Sequence, residues 1–129
     1  MRNFAPDTAT IPSNLETTDF RIRVLKITDV VKDYDAVMSS VEHLRGVFGP
    51  DESWPEGLSL EQDLIDLGWH QKEFELRSSF AYTVMSLDES RCLGCVYIEP
   101  SNKVGHDAMI TCWVRQSEAV LGLDEKLFN

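Results

Sequence analysis

Between Phe80 and Val114 the chain carries three β-prone segments joined by links too short to hold a crossover helix. Phe80-Ala81-Tyr82-Thr83-Val84-Met85 turns through Asp88-Glu89-Ser90 into Arg91 to Glu99. Pro100 to His106 then leads into Asp107 to Val114. Parallel neighbours need a connection of a dozen or more residues, so these segments favour an antiparallel meander. A doubly wound parallel sheet is thereby excluded for this half of the chain.

Upstream, residues 1–18 are rich in Thr, Ser and Pro (Pro6, Pro12) and read as a loosely ordered arm ahead of a single domain over 19–129. From Asp19 to Lys26, apolar Phe20, Ile22 and Val24 alternate with charged residues, the pattern of a half-buried strand. Thr28 and Asp29 supply a helix start. Val30, Tyr34, Val37, Val41, Leu44 and Phe48 recur at spacings of 4 and 3 and form an apolar stripe, which Gly49-Pro50 ends. Ser59-Leu60-Glu61-Gln62 reads as a capping box opening a second helix. Leu60, Leu64, Leu67 and Phe74 would share its buried face, with Glu61, Asp66, His70, Glu73 and Arg77 projecting elsewhere. The order β-α-α-β-β-β with helices grouped early predicts an α+β domain: a mainly antiparallel sheet and two helices.

At 129 residues the chain has room for one core. Its net charge of −10 is concentrated. Residues 51–90 hold ten acids against Lys72 and Arg77. Nucleic acid and anionic membrane surfaces are therefore poor partners, since both are held by Lys and Arg. Small cationic amines are compatible, and a solvated acidic helix face would look the same. The N-terminus lacks the basic start and apolar run of a secretory signal, and no stretch approaches the ~18 apolar residues of a membrane helix. A cytoplasmic protein is expected.

Three cysteines cannot all pair within one chain, which points to reduced thiols. Cys92-Leu93-Gly94-Cys95 is formally a C-x-x-C, and His106 could be offered as a further ligand. Within a regular strand, however, residues three apart face opposite sides of the sheet. Buried thiols and no metal are the expectation.

Arg21-Ile22-Arg23-Val24-Leu25-Lys26-Ile27-Thr28-Asp29 resembles the opening strand and helix start of the GCN5-related N-acetyltransferase superfamily, and the element order is that family's. Phe80 to Val84, then Leu93-Gly94-Cys95-Val96-Tyr97-Ile98 with its early Gly, are similar to the family's second and third strands. Asp107 to Val114 is similar to its fourth, which ends in a Val before the cofactor loop. The likeness spans residues 19–128. It implies acetyl transfer from acetyl-CoA to an amine, with the Trp113 and Val114 backbone facing the thioester and pantetheine arm. The pyrophosphate loop, Arg/Gln-x-x-Gly-x-Gly/Ala in the family, falls on Ala119 to Asp124. There Gly122 matches, Ala119 lacks a polar group, and the Asp124 carboxylate would repel a diphosphate.

The resemblance makes Glu99 and Asp107 the carboxylates nearest the catalytic strand, with His106 beside them as a proton carrier. The same three could simply rim a solvated hairpin loop. Asn129 falls before the family's fifth strand, so the chain would be a fragment or be completed by a partner. Two readings stay open: an enzyme acting on a small amine, and an inactive truncated relative serving as a binding or assembly module. The apolar segment Ala108 to Val114, with no Pro or charge, would be an unprotected edge. It predicts a homodimer, through that edge or through exchange of 116–129. The alternative is a monomer in which 116–129 folds back over the edge.

Overall fold

A computed structural model describes residues 11–48, 53–100, 108–119 and 122–123. Its sheet has five strands in the order β1-β2-β3-β4-β5, every neighbouring pair antiparallel. They are β1 (Asn14–Glu16), β2 (Arg21–Val24), β3 (Phe80–Met85), β4 (Cys92–Pro100) and β5 (Ala108–Val114). Helices α1 (Val30–Met38), α2 (Val41–Leu44) and α3 (Leu60–Glu75) lie between β2 and β3, and α4 (Gln116–Ala119) follows β5. The α+β class and the antiparallel meander are as the sequence reads.

The expectation that a fifth strand is missing is corrected, since the sheet has five. The added strand arises within the stretch read as an arm. Thr17 Oγ1 accepts from the Asp19 and Phe20 amides and donates to the Phe20 carbonyl, closing a turn. That turn folds Leu15 back opposite Ile22. Farther along, the Tyr82 hydroxyl donates to the Pro12 carbonyl at 2.8 Å and ties the preceding segment to β3.

The first helix is not continuous across the apolar stripe. It ends at Met38, where Ser39 Oγ donates to the Ala36 carbonyl, and restarts as the single turn α2. Its start is held by Asp29, whose carboxylate accepts from the Lys26 amide at 2.9 Å and from Arg23 at 2.7 and 2.9 Å. Ser59 caps α3 as expected by accepting from the Gln62 amide, whereas the Gln62 side chain turns to Asp66 instead of completing the box.

One face of the sheet packs on the helices through Leu25, Ala36, Val37, Leu44, Leu67, Ala81, Met85, Tyr97 and Trp113. Phe20, Val84, Leu93, Val114 and Leu123 form a smaller cluster on the other face. The buried stripe of α3 differs from the one the leucines suggest. Leu60 and Leu64 are 45% and 42% exposed, while Asp63 and Leu67 are 3% and 2% exposed. A carboxylate therefore occupies a core position one turn before Leu67.

Candidate functional site

Two depressions flank the indole of Trp113. The first, about 280 Å³, lies between α1, α3 and β4 and is lined by Asp33, Asp63, Asp66, His70, Tyr97 and the rings of Phe48, Trp54 and Trp69. The second, about 300 Å³, runs along Cys112, Trp113 and Val114 of β5 and is closed by His43 to Val47. Trp54 stands against Trp113 with centroids 6.0 Å apart, so one aromatic wall separates them. A larger groove of about 420 Å³ over β1 and β2 is lined by Arg21, Arg23 and Glu89, whose charges are already paired with one another.

In the first pocket Asp33 and Asp63 are neighbouring carboxyls that act on each other. Burial pushes both carboxyls above their usual range, Asp33 well above it. Neither forms a salt bridge among the described residues. Asp63 Oδ2 is buried with no hydrogen-bond partner. The His70 ring packs against Tyr97 with centroids 5.1 Å apart, and burial lowers its pKa against the pull of nearby carboxylates. Tyr97 is held by Trp113, whose indole Nε1 donates to its hydroxyl at 2.9 Å.

The structure places Trp113 and Val114 in the core, 3% and 2% exposed, on the last two positions of β5. Glu99 is half-buried near the end of β4, and its charge acts on His70. Gly122 adopts φ +82°, a backbone that glycine supplies without strain. His106 and Asp107 lie outside the described residues, as does Asp124.

His70 and Asp66, both read as projecting away from the buried face of the helix, line the pocket. Asp33 and Asp63 were not anticipated. Their signal was present: each is a carboxylate four residues before a buried apolar residue, Val37 or Leu67, on the inner side of its helix.

The geometric argument against the C-x-x-C pair is overturned. In β4, Val84 pairs with Gly94 and Met85 with Cys92, so Leu93 is an inserted residue, a β-bulge. The bulge returns Cys92 and Cys95 to one side, both in the helix-facing core, and sends Leu93 to the other face. Cys95 Sγ donates to Asp33 Oδ1 at 3.4 Å.

No protein-family model and no curated protein sequence matches the chain. Solved structures do match. A candidate ribosomal-protein-serine acetyltransferase from Vibrio cholerae aligns with a TM-score of 0.64 at 13% identity, over 84% of this chain and 58% of that one. The ribosomal-protein-S5-alanine acetyltransferase from Vibrio fischeri gives 0.63 at 15%, over 81% and 56%. RimL, a ribosomal L7/L12 α-N-protein acetyltransferase in complex with coenzyme A, gives 0.62 at 18%, over 83% and 56%. The chain thus spans less than two-thirds of these neighbours' length, and what it shares with them is the acetyltransferase fold.

Proposed function

We propose that this acetyltransferase-fold domain carries acetyl transfer from acetyl-CoA to a small amine, with the amine in the acidic aromatic pocket. The observation that carries this reading is the placement of that pocket directly across the Trp54–Trp113 wall from the groove along β5. The groove fits an extended pantetheine arm, and Arg45 at its corner would exchange its pairs with Glu42 and Glu56, 3.4 and 3.6 Å away, for a phosphorylated ligand. Asp66 would draw in an ammonium group, and the rings of Trp54 and Trp69 would face it. His70, backed by the charge of Glu99, would take the proton as the amine attacks the thioester carbonyl. The C–N bond forms, the C–S bond breaks and the thiolate leaves. Glu99, Trp113, Val114 and Gly122 keep the roles given by resemblance, as do His106 and Asp107. A cytoplasmic setting suits Cys92, Cys95 and Cys112, none of which is in a disulfide, and no helix among the described residues is long and apolar enough to cross a membrane.

The second reading is a non-catalytic assembly module, its partner a second copy paired along β5. It is favoured by the turn after β5, where α4 begins at once and Ala119 offers no polar side chain. Acetyl-CoA in a thermal-shift assay separates the two. Saturation at 100 times the dissociation constant adds about 2.7 kcal/mol, several degrees for a domain of this size. A shift with release of free thiol in the presence of a small diamine supports the enzyme. No shift at millimolar acetyl-CoA leaves the assembly module.

A further inference from the structure

The core beneath the acidic pocket contains a set of groups that apolar packing does not account for. Cys92, Cys95 and Asp33 are 0%, 0% and 3% exposed, and one ligand atom from each lies within 4.8 Å of the others. They come from two elements held in fixed register. The bulge at Leu93 turns both thiols of β4 inward, and α1 presents Asp33 across from them. A regular strand would have separated the thiols, so the inserted residue is what assembles the set.

We propose that Cys92, Cys95 and Asp33 form a three-ligand binding site for a zinc-like divalent cation, its fourth position left to water. The donors, two thiols and one carboxylate, match the sulfur and oxygen ligands that zinc takes in a tetrahedral site. With Zn–S near 2.3 Å and Zn–O near 2.0 Å, the S···O edge of such a tetrahedron is about 3.5 Å. The 3.4 Å separation of Cys95 Sγ from Asp33 Oδ1 is close to that edge. The orphan oxygen of Asp63 is the independent observation. Asp63 Oδ2 is buried without a hydrogen-bond partner beside Asp33, outside the ligand set itself, and a buried carboxylate oxygen calls for a proton donor or a nearby cation. Asp33 and Asp63 also line the open pocket, which gives an ion a path from solvent. Binding a cation there displaces both thiol protons, so affinity should rise with pH. This site stands whether or not the domain transfers acetyl groups.

The test is titration of the reduced full chain with Co²⁺, followed by displacement with Zn²⁺. The expected result is one equivalent of Co²⁺ with a thiolate-to-cobalt charge-transfer band that Zn²⁺ abolishes, together with a higher melting temperature. Cys95→Ser and Asp33→Asn should weaken binding at least tenfold, and Cys112→Ser, outside the cluster, should leave it unchanged. Circular dichroism confirms that each variant folds. Should the cluster variants unfold, the wild-type band decides alone. A folded, reduced wild type without the band overturns the site, and so does a band that survives in folded Cys95→Ser or is lost in folded Cys112→Ser.

Discussion

Gly94 of β4 lies so close to Trp113 of β5 that a β-carbon added at position 94 would collide with the Trp113 carbonyl oxygen and press on the Val114 Cα. Both obstacles are backbone, held by the ladder that pairs Gly94 with Val114. Gly94→Ala should therefore destabilise the domain by about 1–3 kcal/mol, the usual cost of overpacking. It should also shift the β5 backbone that lines the groove. Gly68 is the contrast: it sits within α3 with open space where a β-carbon would go. Gly68→Ala should stabilise by roughly 1 kcal/mol through helix propensity. Urea unfolding of the two variants should move the midpoint in opposite directions.

The Tyr97 hydroxyl accepts from the Trp113 indole inside the wall between the two depressions. Tyr97→Phe leaves a buried N–H without its acceptor, a loss of about 1–3 kcal/mol. Trp113→Phe with Tyr97→Phe removes both polar groups and should recover part of that loss. A double-mutant cycle by urea unfolding measures the coupling, and additive effects would show that the bond contributes nothing.

Acid stability should depend on the β3–β4 turn. Backbone and side-chain hydrogen bonds from Ser90, with one from Ser86, hold Asp88 down to about 2 from an ordinary 3.8. Arg21 and Arg23 lower Glu89 as well. A carboxyl depressed in the folded state contributes stability that is complete above its unfolded pKa and lost as pH falls through its folded one. Stability should accordingly fall from about pH 4.5 toward pH 2, and Asp88→Asn should flatten the lower part of that decline. Melting temperatures across this range check it, and identical slopes in both proteins would remove Asp88 as a cause.

The parts of this fold legible in the sequence are those set by repeated pattern. The alternation from Phe20 to Val24, the short links between β3, β4 and β5, and the Ser59 cap each depend on local spacing, and the structure keeps them. The parts that escaped depend on single residues answering to distant partners. Leu93 reads as an ordinary strand residue until its register with β3 makes it a bulge. Asp63 reads as one more acid on an acidic helix until α1 brings Asp33 against it. Leu67 is buried as read, but Leu60 opens α3 at its first position and Leu64 lies to the side of the face that Asp63 and Leu67 share, so both are exposed. Helical periodicity specifies a face only when its residues agree in polarity, and here they do not.

The assembly reading turns on β5, which ends the described sheet. Residues 109–114 carry no Pro and no charge, and Met109 and Ile110 are 50% and 55% exposed. Such a strand offers its outer main-chain groups to another β-strand, and a C2 pair is the simplest closed arrangement. If β5 pairs with a second copy, light scattering behind size-exclusion chromatography should give twice the chain mass at micromolar concentration. The 109–114 amides should then exchange more slowly as concentration rises. Ile110→Lys should return the protein to a monomer without lowering its melting temperature by more than the dimer contributes, because position 110 already faces water. A wild-type monomer with these amides well protected would instead show that the edge is covered within the chain.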